Sequence, residues 1–171
     1  MQIFFKGIGC VLLLMSGTAV GFQTGERLMI RVKMLMEMLS VLQYLQTNLK
    51  YRRDTTCDAL RNMTQLCTLE NLPFHLGILT PQTLPTVLAE ALCKLQKSVK
   101  SILKPPEIDL FCTALTEFGS AGAEEESKKL VYAQTALKEI CDKAKEDAAK
   151  DRKLYRAIGI AGGVAAALLF V

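Results

Sequence analysis

Residues 28–49 read LMIRVKMLMEMLSVLQYLQTNL, and this stretch indicates the class of fold. Its apolar side chains recur at alternating steps of four and three residues, at Leu28, Val32, Leu35, Leu39, Leu42 and, after an interruption at Gln46, Leu49. That spacing places one apolar stripe along one face of an α-helix. The pattern therefore predicts a helix that continues to about Lys50.

The rest of the middle of the chain follows the same pattern. Between residues 26 and 156 the helix-breaking residues are few, and they fall at Pro73, Gly77, Pro81, Pro85, Pro105, Pro106, Gly119 and Gly122. Apolar residues recur at helical spacing between these breaks, and no stretch alternates as a strand would. The sequence predicts an all-α antiparallel bundle of five or six helices, with Asp54 as N-cap of the second and Ala123 opening the last.

Both ends of the chain are apolar and uncharged. Gly7 to Gly25 is a run of 19 residues without a formal charge, and Ala157 to Val171 is a run of 15. As helices they would extend about 28 Å and about 22 Å, against a hydrocarbon core of about 30 Å, so whether the second crosses completely stays open. The expected parts of the chain are an N-terminal transmembrane helix in residues 1–25, a helical bundle in 26–156 and a C-terminal transmembrane helix in 157–171.

Positive charges next to the two apolar runs predict their orientation. The basic residues on the inner sides of the runs are Arg27, Arg31, Lys33, Lys150, Arg152, Lys153 and Arg156, whereas only Lys6 lies on the outer side. Because such residues accumulate on the cytoplasmic face of a membrane, we expect the bundle to face the cytoplasm and the chain to reside in the cell membrane.

Glycines recur within the apolar runs at a spacing typical of membrane helix packing. Gly17, Gly21 and Gly25 are four residues apart, and so are Gly159 and Gly163. Small residues at this spacing allow two helices to approach closely in lipid. The stripes fit either contact between the two runs or contact with other membrane subunits.

Charge and aromatic content argue against nucleic-acid binding. Residues 26–156 contain 20 of the 21 Lys and Arg residues and all 17 Asp and Glu residues, a net charge of about +3 that forms no basic stripe. Aromatic residues make up 6% of the chain and tryptophan is absent, so stacking platforms are not evident. We expect no nucleic acid among the partners.

The sequence does not predict an enzyme. His75 is the only histidine, no G-x-x-x-x-G-K phosphate-binding loop occurs, and the cysteines form no C-x-x-C pair. We therefore assign no catalytic, cofactor-binding or metal-binding residue and expect no small-molecule substrate. The competing enzyme hypothesis would use His75 and Cys67 in thiol or metal chemistry.

Six cysteines leave a second alternative open. They lie at Cys10, Cys57, Cys67, Cys93, Cys112 and Cys141, and in a cytoplasmic domain they would be reduced. The N-terminal run also has features of a secretory signal peptide, with Lys6 before an apolar centre. If it were cleaved, the chain would be a secreted or surface-anchored, disulfide-stabilised helical domain.

An acidic run opens the last predicted helix. Glu124, Glu125 and Glu126 fall in its first turn, where carboxylates favour the positive end of the helix dipole. They are also the candidates for an interface with a partner of opposite charge.

Several short motifs together resemble the stage III sporulation protein AB family of endospore-forming bacteria. They are Gly9 with Ser16-Gly17-Thr18-x-x-Gly21-Phe22, then Arg27, Leu28 and Arg31, Leu49-x-Tyr51 before Ala59 and Leu60, Phe118-Gly119-x-x-Gly122, and Leu154-Tyr155-Arg156-x-x-Gly159-x-x-Gly162. Their order and spacing extend over nearly the whole chain.

The resemblance implies a non-catalytic role. Members of this family take part in a secretion-like transenvelope complex that links mother cell and forespore during engulfment. Their cytoplasmic domain is similar to the inner-membrane platform protein of type II secretion and type IV pilus systems, which docks a secretion-type ATPase. This chain would then lie in the membrane around the forespore, on the mother-cell side, beside that ATPase and other membrane subunits.

Overall fold

The structure is a computed structural model that describes residues 26–52, 54–77 and 79–170, and all regular structure in these ranges is helical. Helix α1 covers residues 26–47 and passes into a π-helical turn, Asn48–Arg52. The helices that follow are α2 (Thr56–Leu66), α3 (Leu84–Val99), α4 (Pro105–Thr116) and α5 (Ala123–Phe170). The all-α prediction is confirmed, and α5 begins at the predicted residue.

The chain divides into two compact units. One is Lys33–Asp142, and the other combines Met1–Val32 with Lys143–Val171, of which residues 26–32 and 143–170 are described. The predicted boundaries at residues 25 and 156 stay predictions.

The unit Lys33–Asp142 contains the main apolar core. Its fully buried side chains include Leu35, Met38, Val41, Leu42, Leu45, Leu60, Met63, Phe74, Leu79, Leu95, Phe111, Leu115 and Leu137. In α1 the buried face therefore contains Met38 and Leu45 as well as the predicted Leu35 and Leu42, whereas Leu39 is only half-buried. The difference arises because a core-facing helix buries a stripe wider than a strict four-three series.

Two predicted helix boundaries are shifted. Thr55 is the N-cap of α2, since its Oγ1 accepts a hydrogen bond from the backbone N–H of Asp58 at 3.2 Å, whereas Asp54 lies one residue outside. The sequence predicts that Lys104, Pro105 and Pro106 end the third helix, whereas α3 ends at Val99 and the two prolines open α4. A proline fits the first turn of a helix because its missing N–H would have no intrahelical partner there.

A carboxylate of α1 fixes the loop that follows α2. Glu37 accepts hydrogen bonds from the backbone N–H of Leu72 at 2.7 Å, from the backbone N–H of Asn71 at 3.1 Å and from Asn71 Nδ2 at 2.6 Å. Just beyond this anchor, Phe74 enters the core and contacts Phe111 edge to face, with ring centroids 6.2 Å apart. The loop thus contributes an aromatic side chain to the core.

The described residues include only part of the predicted membrane segments. The first segment, with Gly17, Gly21 and Gly25, lies outside them, whereas Gly159 and Gly163 lie within α5. Over the ranges that are described, none of the helices combines the length and the hydropathy that a bilayer span requires.

Candidate functional site

A groove of about 770 Å³ opens in the unit Lys33–Asp142, where the π-helical turn, the start of α2 and the α4–α5 turn come together. It is lined by Gln46, Leu49, Lys50, Asp54, Thr56, Gly119, Ala121, Ala123, Glu124, Glu126 and Ser127. We call it the turn groove. Leu49 and Gly119, from two of the motifs that resemble the sporulation family, lie on its walls although 70 positions separate them in the sequence.

Close contact between Gly119 and Thr56 sets the shape of this groove. Gly119 has φ +89°, and a Cβ atom built on it would lie 2.6 Å from Thr56 Oγ1 and 2.8 Å from Thr56 Cγ2. Both the left-handed backbone and the short distance require glycine. The α4–α5 turn can therefore rest directly on the first turn of α2, whereas Gly122 in the same turn borders open space.

The structure assigns different environments to the three predicted interface glutamates. Glu126 is 5% exposed, and its Oε1 accepts a hydrogen bond from the backbone N–H of Ala121 at 3.1 Å, which closes the turn before α5. Glu124 is exposed and pairs with Lys128 at 3.1 Å, and Glu125 lies 3.8 Å from Lys129. Of the three, Glu124 and Glu126 line the turn groove, and of these two Glu124 is the exposed one.

The π-helical turn forms the opposite wall. Asn48 is buried, and its Nδ2 donates a hydrogen bond to Asp54 Oδ2 at 2.8 Å, which ties the turn to the residues before α2. Lys50 lies with its Nζ 5.3 Å from the centroid of the exposed Tyr51 ring. A π-helical turn of this kind is uncommon and often occurs at functional sites.

Among the described residues that line the turn groove, negative charges outnumber positive ones. Their carboxylates are Asp54, Glu124 and Glu126, and the cation among them is Lys50. The apolar surface of Leu49 could receive the aliphatic stem of a long basic side chain while a carboxylate binds its charged end. The groove is therefore suited to a protein segment that carries lysine or arginine.

The structure describes both residues of the enzyme hypothesis, His75 and Cys67. His75 is exposed, and burial raises the pKa of the Cys67 thiol, an effect that a hydrogen bond with Ser40 opposes. Burial also raises the pKa of Cys112, with a smaller contribution from the charge of Asp109. A raised pKa keeps a thiol protonated near neutral pH, whereas a nucleophilic cysteine needs a lowered one.

Metal and disulfide chemistry find no support in the parts of the chain that the structure describes. No group of three or more His, Cys, Asp or Glu residues there could hold a metal ion. The five cysteines in these parts are free thiols: Cys57, Cys67, Cys93, Cys112 and Cys141.

Alkylation rates should separate the exposed cysteine from those with raised pKa values. At pH 7.5 we expect Cys93, which is exposed, to react with iodoacetamide at least about tenfold faster than Cys67 or Cys112. Raising the pH to 9.5 should accelerate Cys67 and Cys112, because more of each thiol becomes thiolate. Peptide mass spectrometry measures each rate. A Cys67 that reacts as fast as Cys93 at pH 7.5 would instead favour the enzyme hypothesis.

Comparison with known proteins identifies a family to which the chain is similar. The family model of stage III sporulation protein AB matches residues 6–171, which include the turn groove and the apolar residues at both ends. No curated protein and no solved structure matches the chain. The match confirms the resemblance seen in the motifs. The chain belongs to the stage III sporulation protein AB family.

Proposed function

We propose that this sporulation protein is a non-catalytic membrane platform that docks a secretion-type ATPase through the turn groove. The observation that carries the proposal is the groove itself, because an open volume of about 770 Å³ is lined by mostly negative charges among the described residues and by Leu49 and Gly119 from two of the family motifs. A structural protein acts through such surfaces and needs no reacting group.

The lining indicates what kind of ATPase segment would bind. Asp54 is exposed and Glu124 is exposed, so an incoming Lys or Arg side chain could pair with either carboxylate without displacing the buried Glu126. The pairing of Glu124 with Lys128 joins two exposed side chains four residues apart. Because such surface pairs contribute little free energy, a partner could replace this one at small cost.

The membrane part of the proposal depends on the two uncharged runs and their basic flanks. Helix α5 extends from Ala123, which lines the turn groove, to Phe170 near the end of the second run. The same continuous helix would then join the docking surface to the C-terminal membrane anchor. The platform would lie in the membrane around the forespore, with the groove in the mother-cell cytoplasm, and would contact other membrane subunits through its anchors.

Charge reversal in the turn groove tests the docking surface. With the full chain in nanodiscs and the ATPase of the same sporulating cells added, we expect Glu124→Lys to weaken binding at least about tenfold, because it juxtaposes like charges. The matched control is Glu90→Lys, since Glu90 is an exposed residue of α3 that pairs with Lys94 at 2.7 Å in the same i, i+4 arrangement. Binding is measured by surface plasmon resonance.

The platform proposal predicts different ATPase affinities for the two variants. Docking in the turn groove is supported if Glu124→Lys weakens ATPase binding and Glu90→Lys leaves it unchanged. Equal losses from both would show a general charge effect, and a wild-type chain that does not bind the ATPase at micromolar concentration would contradict the platform proposal.

A further inference from the structure

A second groove lies between α4 and α5, within the unit Lys33–Asp142. It measures about 400 Å³ and is lined by Leu110, Thr113, Ala114, Glu117, Lys128, Lys129, Tyr132 and Ala133. On each side of the groove lining residues recur at steps of three and four positions, so each side presents one continuous ridge. The two ridges form the walls of the groove, which we call the α4–α5 groove.

An aromatic side chain projects beside this groove. Tyr132 is 72% exposed although it lines the α4–α5 groove, and its neighbour Val131 is exposed as well. Tyrosine is enriched among the residues that contribute most to protein interfaces, because it buries a large rigid surface at a small entropic cost. The same patch therefore offers an exposed ring and an adjacent depression, whose apolar lining includes Leu110, Ala114 and Ala133.

The charges around the α4–α5 groove have both signs. Lys129 Nζ contacts Glu117 Oε2 at 3.0 Å between the two helices, and Lys128 lies beside it. A partner with a surface of a single sign would face like charges on part of this rim. A surface of mixed sign can instead complement a copy of itself when a two-fold axis brings Lys128 of one copy opposite Glu117 of the other.

We propose that a second copy of the chain docks on the α4–α5 groove, with Tyr132 of each copy entering the groove of the other. In a two-fold interface the same patch of both copies is in contact, so the patch must be complementary to itself. The α4–α5 groove offers an exposed ring, an apolar depression beside it and charges of both signs. Self-association through this surface does not depend on the docking of an ATPase in the turn groove.

Photo-crosslinking of the full chain identifies the occupant directly. Benzoylphenylalanine replaces Tyr132, and chains labelled with ¹⁴N and ¹⁵N are mixed in detergent before irradiation. We expect crosslinked peptides that contain one light and one heavy chain and that join position 132 to the segment 110–117. Mixed-isotope products distinguish contact between copies from contact within one chain.

Sedimentation velocity then measures the effect of substitution. Tyr132→Asp should weaken self-association at least about tenfold, because it replaces the aromatic anchor with a charge. Tyr51→Asp is the matched control, since Tyr51 is also 72% exposed but does not line the α4–α5 groove. Unchanged circular dichroism shows that both variants are folded.

Three results would overturn the proposal. These are a wild-type chain that stays monomeric up to about 100 μM, crosslinks from position 132 that map only within one chain or to another protein, and a loss of self-association as large in Tyr51→Asp as in Tyr132→Asp. None of these results depends on ATPase binding, so they leave the proposed platform function to its own test.

Discussion

Replacing Gly119 with alanine should lower the free energy of unfolding of the unit Lys33–Asp142 by about 2–5 kcal/mol. The new Cβ would lie 2.6 Å from Thr56 Oγ1, and the backbone at φ +89° disfavours any residue other than glycine. The left-handed conformation costs about 1–2 kcal/mol, and overpacking against α2 adds about 1–3 kcal/mol. Urea denaturation of the full chain in nanodiscs, followed by circular dichroism, measures the loss.

Two further variants separate these contributions. Gly122→Ala is the control in the same turn, because nothing lies within 4 Å of its Cβ position, and it should change the free energy of unfolding by less than about 0.5 kcal/mol. Thr56→Ala, added to Gly119→Ala, removes both atoms nearest the new Cβ and should recover part of the overpacking cost. A Gly119→Ala variant as stable as Gly122→Ala would contradict the close contact described above.

Replacing Phe111 with alanine should cost about 3–5 kcal/mol of stability. The Phe111 side chain is fully buried, and its ring contacts Phe74 at an interplanar angle of 80°. The substitution removes a large apolar surface and leaves a cavity that the neighbouring helices can fill only in part. The same urea denaturation measures the change, with Leu66→Ala as the control because Leu66 is exposed at the end of α2.

A double-mutant cycle tests the aromatic pair itself. Phe74→Ala and Phe111→Ala together should cost less than the sum of the single substitutions, by about 0.5–1.5 kcal/mol. Strictly additive losses would show that the two rings do not interact, and the loop anchored by Glu37 would then be held in place by other contacts.

Local signals in the sequence were sufficient to predict where a helix begins when a turn directly precedes it. Ala123 was predicted as the start of α5 because the Gly119–Gly122 turn precedes it and three glutamates follow it. Thr83 and Pro85 likewise predict a helix that starts near Thr83, and α3 begins at Leu84. In these cases neighbouring residues along the chain determine the backbone, so no knowledge of tertiary structure is needed.

The same local signals did not predict a helix boundary correctly where the sequence allows two assignments. Asp54 and Thr55 are both good N-caps, and the choice of Thr55 depends on Asn48, whose amide engages the Asp54 carboxylate. Pro105 can follow one helix or open the next, and the sequence does not distinguish these positions. The π-helical turn has no sequence signature of its own.

The turn groove could be predicted only in part. The run from Glu124 to Glu126 was identified as an interface candidate from its charge, yet the burial of Glu126 depends on the turn folding back over its carboxylate. The contact of Gly119 with Thr56 joins residues 63 positions apart, and no local pattern reveals such a contact. Sites built from distant segments emerge only once the helices are packed.

We propose that the helical domain with its turn groove faces the cytoplasm of a cell whose membrane holds the chain at both ends. Cys93 provides the direct test, because it is exposed on α3 in the middle of the chain. In intact sporulating cells that express a variant whose only cysteine is Cys93, a maleimide that cannot cross membranes is applied before and after permeabilisation. If the domain faces the cytoplasm, we expect labelling of Cys93 only after permeabilisation. Labelling of Cys93 in intact cells would contradict it.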